Sequence, residues 1–244
     1  MVTINHETVN TSFADPFRIW IYDDFLDLKQ AKQLCEEFPK ATDEWYTYNN
    51  VFEKKRAIDD ITKMPDIHRQ TLTKFNMGPA LKWLETTTMI SGLIPDPWLR
   101  GGGLHQISRG GKLDIHCDFN WHEKLKLDRR LNVLLYLNDD WHEDYGGYLE
   151  CWDREMKECM VRILPKVNRL VIFETTDFSY HGHPEPLNCP EDRTRNSMAW
   201  YFYTNGRPEH EKSEAHSTMI QARPNDELSE EVEKFREIRS KGRV

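Results

Sequence analysis

The sequence has no apolar run long enough to cross a membrane and no cysteine pattern typical of a disulfide framework. A transmembrane helix needs about 20 consecutive apolar residues, and no stretch approaches that length. The five cysteines form no Cys-x-x-Cys pair, and an odd number of them is typical of a reducing compartment. The chain starts with a segment, residues 1–7, that is too polar for a secretory signal. These absences predict a cytoplasmic protein without a membrane segment.

The chain also has no excess of basic residues. The formal net charge is -8, whereas proteins that bind nucleic-acid backbones rely on clustered lysine and arginine. Nucleic acid is therefore not an expected partner, although a single basic site for a small anion remains compatible with this charge. The 244 residues contain no internal repeat, and this length is sufficient for one large β domain with added helices.

Against this background, His116 and Asp118 form a candidate metal site. Residues i and i+2 of an extended segment project to the same side, so these two side chains can share one metal while Cys117 turns away. A third ligand can come from His181, which follows the apolar run 169–173, a predicted buried strand. Two imidazoles and one carboxylate are typical of a non-heme iron(II) centre. His183 lies two residues further on, could face the same way, and stays open as an alternative.

A second candidate site lies on the segment 193–203, whose aromatic content and alternation predict a strand. Arg195 and Ser197 fall on one face of this strand, while Met198 and Trp200 fall on the other. One face therefore resembles packed core, and the other resembles a pocket wall that carries a guanidinium. Such a planar set of donors is suited to gripping a carboxylate. Arg193 is the alternative in the same register, and counting back from the aromatic run 200–202 favours Arg195.

Together these segments resemble the iron(II)- and 2-oxoglutarate-dependent oxygenases, specifically the prolyl 4-hydroxylase-like branch. The resemblance covers about residues 100 to 206. Six segments follow the family's order: Gly110–Asp118, Arg129–Asn138, Gly146–Leu149, Arg169–Phe173, His181–Gly182 and Arg195–Tyr203. Six ordered segments are far more specific than any one short motif.

The resemblance implies a mainly β fold with flanking α-helices, built on a double-stranded β-helix (jelly-roll, cupin-like) core. It implies that His116, Asp118 and His181 ligate iron. His181 is favoured over His183 because the family has a histidine followed by glycine and then, within a few residues, by proline. It implies that Arg195 binds the far carboxylate of 2-oxoglutarate, with Tyr136 as a hydroxyl donor in the same pocket. The implied cofactors are iron(II), 2-oxoglutarate as co-substrate and O2, with ascorbate as a supporting reductant.

Two further residues, Ser197 and Gln106, are expected to contribute to the cofactor pocket. Related halogenases lack the carboxylate ligand and place chloride there, so the presence of Asp118 predicts hydroxylation. The reaction implied by the resemblance couples hydroxylation of an unactivated C–H bond to decarboxylation of 2-oxoglutarate to succinate and CO2.

The chain is expected to form one domain in three parts. Residues 1–98 supply an N-terminal strand and bracing helices, 99–206 the catalytic core, and 207–244 a polar linker and a C-terminal helix. Helices are predicted from Asp27 onward, near 65–76 and 79–89, and over about 226–240. Segment 42–60 has aromatic residues but no clear period, which suits either a substrate lid or ordinary surface packing.

Three functions remain compatible with the sequence. A small-molecule hydroxylase, acting on a substrate such as an amino acid, is slightly favoured, and it requires a closed pocket roofed by the 45–52 region. A peptidyl prolyl hydroxylase is the alternative, and it requires an open groove beside the iron. A β-helix binding module without turnover is disfavoured by the intact ligand set. Fold does not fix the substrate, and the oligomeric state is not predicted.

Overall fold

Two antiparallel β-sheets face each other and make up most of the molecule. The computed structural model describes residues 10–227 and 229–240. The strands, numbered along the chain, are β1 (Thr11–Phe13), β2 (Ile19–Tyr22), β3 (Tyr46–Asn49), β4 (Lys54–Ile58), β5 (Ile94–Pro95), β6 (Gly103–Ser108), β7 (Leu113–Cys117), β8 (Trp121–His122), β9 (Leu127–Tyr136), β10 (Leu149–Trp152), β11 (Cys159–Ile163), β12 (Arg169–Glu174), β13 (His181–His183), β14 (Thr194–Thr204) and β15 (Met219–Ile220). The helices are α1 (Leu28–Glu36), α2 (Asp66–Phe75), α3 (Gly78–Thr88) and α4 (Glu230–Ser240).

The larger, major sheet runs in the order β1-β2-β12-β9-β14-β6-β4-β3, and β5 and β8 pair with its central strands. The minor sheet runs in the order β11-β10-β13-β7-β15. Strands that are distant in sequence are neighbours in both sheets, as in a jelly-roll. The predicted double-stranded β-helix fold is therefore confirmed. None of the helices in the described residues is long and apolar enough to span a membrane.

The outer face of the major sheet packs against the first three helices. Met198, Trp200 and Phe202 alternate along β14 and lie in one buried apolar cluster with residues of α1, α2 and α3. The Phe75 ring of α2 lies 4.8 Å from the Trp200 ring, measured between centroids. The indole N–H of Trp200 donates to the Leu72 carbonyl at 3.2 Å, so the buried donor is satisfied. The helices thus brace this sheet from outside, as the family resemblance implied.

A second core fills part of the space between the two sheets. Val171 and Phe173 of the major sheet pack with Leu149 and Val161 of the minor sheet, and Tyr136 belongs to the same cluster. The two cores use opposite faces of β9 and β12, which follows from the two-residue alternation of side chains along a strand. The space between the sheets that this core leaves open holds the predicted ligands.

The first three helices begin where the sequence predicts. The Asp27 carboxylate accepts hydrogen bonds from the backbone N–H groups of Lys29 and Gln30 and so caps α1. Proline residues stand at the starts of α2 and α3, where the missing N–H is not needed. The C-terminal helix is shorter than predicted because it begins at Glu230, and it contacts β15.

Segment 42–60, which has no recognisable period, forms the β3–β4 hairpin. The Asn50 side chain closes its turn by accepting hydrogen bonds from the backbone N–H groups of Phe52 and Glu53. β4 pairs with β6 of the major sheet, while the Lys54 backbone N–H donates to the Lys112 carbonyl beside β7. The hairpin is therefore attached to both sheets and is more than a surface loop.

Replacement of Gly103 by alanine is expected to destabilise the fold strongly. Gly103 has φ +84°, and an added Cβ would lie 2.1 Å from the Ile58 carbonyl oxygen, where β6 approaches β4. A positive φ costs about 1–2 kcal/mol in any L-residue other than glycine, and overpacking costs about 1–3 kcal/mol more. Urea unfolding should therefore show a loss of about 2–5 kcal/mol in unfolding free energy.

The matched control is Gly78→Ala, because a Cβ on this helical glycine meets nothing within 4 Å. Its effect should be stabilising and no larger than about 1 kcal/mol. Equal unfolding free energies for the two variants would contradict the close approach of β6 and β4.

Candidate metal and co-substrate site

The three predicted metal ligands meet between the sheets. His116 of β7 and His181 of β13 are directly opposite each other in the strand pairing, and Asp118 follows the end of β7. One Asp118 oxygen lies 3.6 Å from His116 Nε2, and the other lies 3.5 Å from His181 Nε2. Ligand atoms from all three residues lie within 4.8 Å of one another. Cys117, by contrast, is fully buried and contributes no atom to this group.

Both imidazoles are oriented by backbone carbonyls. His116 Nδ1 lies 2.8 Å from the Asp114 carbonyl oxygen, and His181 Nδ1 lies 2.8 Å from the Ser179 carbonyl oxygen. A carbonyl accepts only, so each Nδ1 donates its hydrogen and each Nε2 presents a lone pair towards Asp118. Burial, and then the neighbouring His116, lower the pKa of His181 to about 4, which keeps this ring neutral and able to ligate.

The Asp118 carboxylate is held by two side chains of β9. Arg129 Nη2 donates to Asp118 Oδ2 at 3.0 Å, and Asn132 Nδ2 donates to the same oxygen at 2.6 Å. Burial opposes ionisation of Asp118, but Arg129 and the two histidines outweigh it and hold the carboxyl pKa well below its usual range. The carboxylate is therefore ionised, and Oδ1 accepts neither of these two hydrogen bonds.

Arg129 is itself immobilised. Its guanidinium carbon lies 3.5 Å from the centroid of the Tyr201 ring and 4.4 Å from that of Phe119. Its Nε and Nη2 both donate to Asn132 Oδ1, at 3.0 and 2.6 Å. Stacking and hydrogen bonds together fix the position of the cation that neutralises Asp118.

These features fit a metal ion. Two inward Nε2 lone pairs and one ionised carboxylate form the donor set of a non-heme iron(II) site, which leaves other coordination positions open. The outer nitrogens and the second carboxylate oxygen are already hydrogen-bonded, as in metal sites generally. His116, Asp118 and His181 could therefore hold iron(II).

The predicted carboxylate-binding arginine is buried on the inner face of the major sheet. Arg195 of β14 is 5% exposed, its Nε donates to the Gly147 carbonyl at 2.8 Å, and its Nη2 donates to the Tyr136 hydroxyl at 3.4 Å. Ser197 lies opposite Tyr136 in the strand pairing and is also buried. The alternative, Arg193, points elsewhere and donates to the carbonyls of residues 139 and 140. A buried guanidinium with free donors suits a carboxylate ligand.

Gln106 does not lie on the same face as Arg195, and the prediction that it binds cofactor is wrong. Its amide bonds to the backbone at Ala41 and Pro39 and to Asn196 Oδ1 on the outer face of the major sheet. There it lines a depression of about 720 Å³, on the side of the sheet away from the ligands. Its neighbour His105 faces inward instead, because successive side chains of β6 alternate.

The cavity beside the ligands has a volume of about 170 Å³. The β3–β4 hairpin contributes Tyr48, Glu53 and Lys55 to its wall, and the segment containing β15 contributes Thr218 and Ile220. Lys55 Nζ lies 3.3 Å from a Glu53 carboxylate oxygen and 4.9 Å from the Tyr48 ring centroid. None of these wall residues was predicted as a site residue, because their segments are far from the motifs in sequence.

The sequence also gave no indication of a role for Asn132 or Arg129. The one available signal is polarity: Asn132 interrupts the apolar run of β9 and is 2% exposed. A buried amide inside a central strand requires a hydrogen-bonding partner, and here that partner is a metal-ligand candidate.

The variant Asn132→Ala is expected to weaken metal binding. It removes the 2.6 Å hydrogen bond to Asp118 Oδ2 and so loosens the carboxylate. Loss of such a supporting partner typically costs about 10–100-fold in metal affinity. Competition with a chromophoric chelator should show this loss for manganese(II) or zinc(II). The control Asn188→Ala, on the surface, should bind like the wild type, and equal affinities for the two variants would refute the supporting role of Asn132.

Comparisons with known proteins agree with this geometry. Residues 102–203 match the model of the 2OG-Fe(II) oxygenase superfamily. Prolyl 3-hydroxylase OGFOD1 from Mus musculus is 24% identical over 203 residues, which cover 82% of this chain and 35% of the relative. This chain thus spans about a third of that relative's length.

Solved structures show the same fold. A prolyl-4-hydroxylase from Pseudomonas putida superposes with a TM-score of 0.54 at 16% identity, covering 77% of this chain and 93% of that one. A prolyl 4-hydroxylase from Phytophthora capsici gives 0.52 at 22% identity, covering 77% and 59%. Over residues 102–203 the chain is therefore similar to the 2OG-Fe(II) oxygenase superfamily, and it has the fold of the prolyl 4-hydroxylases.

Proposed function

We propose that this protein is an iron(II)- and 2-oxoglutarate-dependent dioxygenase that hydroxylates a prolyl residue of a peptide or protein. The observations that carry the chemistry are the inward-facing His116, Asp118 and His181 group and the buried guanidinium of Arg195. The prolyl substrate is supported by the relative whose name is prolyl 3-hydroxylase and which aligns with most of this chain. The sequence alone slightly favours a small molecule, and the comparisons give that preference no support.

In this proposal the protein's residues orient the bound groups and neutralise their charges. His116, Asp118 and His181 hold iron(II), and Arg195 with Tyr136 holds the far carboxylate of 2-oxoglutarate. When bound, iron and co-substrate supply the oxidising power, with O2 consumed, succinate and CO2 released, and one oxygen atom transferred to the substrate C–H bond. Arg129 keeps Asp118 ionised, while the sheets restrict access of water to the site.

The substrate side of the site is the wall that contains Tyr48, Glu53 and Lys55. The hairpin that carries these residues is joined to both sheets, so it presents them in a fixed position. We propose that it contacts the polypeptide on either side of the target proline. A cytoplasmic location stays a prediction.

A free amino acid is the second candidate, because one structural feature favours it. The cavity of about 170 Å³ is small and contains a paired carboxylate and ammonium, Glu53 and Lys55. These two groups have the charges that complement the ammonium and carboxylate of a zwitterion. The two candidates differ in whether the substrate must carry peptide bonds.

Turnover with matched substrates distinguishes the candidates. Iron(II)-loaded enzyme should form succinate and add one oxygen atom to members of a panel of proline-containing peptides, as read by mass spectrometry. Free L-proline at the same concentration should give only background succinate. Hydroxylation of free proline or another free amino acid, with none of the peptides modified, would overturn the peptidyl proposal and leave the dioxygenase chemistry intact.

The co-substrate role of Arg195 has its own test. Anaerobic addition of iron(II) and 2-oxoglutarate should produce a metal-to-ligand charge-transfer absorbance in the wild type. Arg195→Met should lose it at a co-substrate concentration that saturates the wild type, because the far carboxylate then lacks its bidentate partner.

The matched control is Arg193→Met, which changes an arginine two residues before Arg195. Arg193 donates to backbone carbonyls outside the pocket, so this variant should keep the absorbance. Loss of the band in Arg193→Met and its retention in Arg195→Met would reverse the assignment.

A further inference from the structure

The outer face of the major sheet changes from apolar to polar along β14. Trp200 packs against the helices, whereas Asn196 and Thr194 line the depression of about 720 Å³. The neighbouring strands continue this polar floor in register, with Gln106 opposite Asn196 and Arg56 opposite Gln106. A polar sheet face needs no covering helix, so this concave surface can bind a polar ligand.

Basic residues dominate the depression, although the chain as a whole has a net charge of -8. Two acidic residues, Glu191 and Asp192, belong to its lining. The basic residues of the lining are Lys40, Lys54, Lys55, Arg56 and Arg109. Five basic residues against two acidic ones make this a positive surface on an acidic protein, and such a surface attracts anionic groups.

Three of these basic side chains have no ionic partner among the described residues. Lys55 lies 3.3 Å from a Glu53 carboxylate oxygen, and Arg109 Nε lies 3.8 Å from one of Glu191. In the part of the chain that the structure describes, no carboxylate pairs with Lys40, Lys54 or Arg56. Arg56 donates only to a backbone oxygen, that of Ala41, at 3.2 Å. These three cations are therefore available to carboxylates of a ligand.

The depression adjoins the cavity beside the metal-ligand group. Tyr48 of β3 and Lys55 of β4 are opposite each other in the strand pairing, and both residues line the depression and the cavity. β3 is the last strand of the major sheet at this end. An extended polypeptide with one residue in the cavity can therefore pass over the hairpin and reach the depression. Crossing the thickness of a sheet takes about 10 Å, or roughly three extended residues.

We propose that the depression binds an acidic segment of the substrate polypeptide, whose carboxylates pair with Lys40, Lys54 and Arg56. The segment begins about three residues from the target proline. This inference rests on the proposed function, because it takes the substrate to be a polypeptide with its proline in the cavity. It assigns a substrate class to the site, namely prolines with aspartate or glutamate a few positions away.

A short acidic segment fits this surface better than a nucleic acid does. Nucleic acids carry a charge on every phosphate and extend beyond a depression of this size. The surrounding protein, with its net charge of -8, repels the parts of such a polyanion that lie outside the depression. An acidic peptide confines its negative charge to the residues that meet the three cations.

Peptide binding to zinc(II)-loaded protein with 2-oxoglutarate tests the inference without turnover. The probes are labelled peptides of equal length with one central proline. Each carries glutamate, glutamine or lysine at three consecutive positions on both sides, starting three residues from the proline. Fluorescence anisotropy at low salt should show the glutamate peptide bound about 10-fold more tightly than the glutamine peptide, because each exposed ion pair contributes only a few-fold. Added salt should reduce this difference.

A charge reversal tests the residues. Lys54→Glu/Arg56→Glu should bind the lysine peptide more tightly than the glutamate peptide, a reversal that an unfolded variant would not produce. The matched control is Lys29→Glu/Lys82→Glu. It makes the same change of charge at exposed residues of α1 and α3 that do not line the depression, and it should keep the wild-type order.

The outcomes separate the inference from the proposed function. Equal wild-type affinities for the glutamate and glutamine peptides would overturn the inference, as would an unchanged order in Lys54→Glu/Arg56→Glu. Loss of the order in Lys29→Glu/Lys82→Glu would assign the preference to net charge and also refute it. Displacement of the glutamate peptide by an equal concentration of a single-stranded oligonucleotide of the same charge would make the depression a general polyanion site, again against the inference. A glutamate preference without hydroxylation of any proline peptide by the iron(II)-loaded protein would refute the proposed function alone.

Discussion

The pairing of β7 with β13 is the constraint on which the rest of the site depends. It places His181 opposite His116, although 64 residues separate them in the chain. A shift of one residue in this register would turn His181 to the other face of the sheet. The carbonyls of Asp114 and Ser179, each two residues before its histidine, then aim both Nε2 atoms at the same point. Strand register and ring orientation are thus set by one set of backbone contacts.

The major sheet supplies the positive charge beside the carboxylate ligand and beside the expected co-substrate position. Arg129 of β9 neutralises Asp118. Arg195 of β14 is the residue expected to bind the far carboxylate of 2-oxoglutarate. The outer face of β14 is occupied by Trp200 and its neighbours against the helices. Because side chains alternate along the strand, packing of the outer face also fixes where Arg195 points on the inner face. The apolar core outside the sheet therefore positions the polar site inside it.

The family resemblance predicted the fold, and two-residue alternation predicted which neighbouring residues of a motif share one face. His116 with Asp118, and Arg195 with Ser197, follow from alternation with a period of two, which local sequence displays. Gln106 was misplaced because neither face of β6 is apolar enough to reveal which side faces the interior. Contacts such as Arg129 to Asp118 depend on the packing of β9 against the end of β7, and no local pattern encodes that distance.

A crystal structure with manganese(II) in place of iron and with 2-oxoglutarate bound tests the central claim most directly. The account predicts the metal on His116 Nε2, the Asp118 carboxylate and His181 Nε2, with the far carboxylate of 2-oxoglutarate on Arg195. A metal ligated by His183 in place of His181, or a co-substrate carboxylate bound away from Arg195, would contradict it.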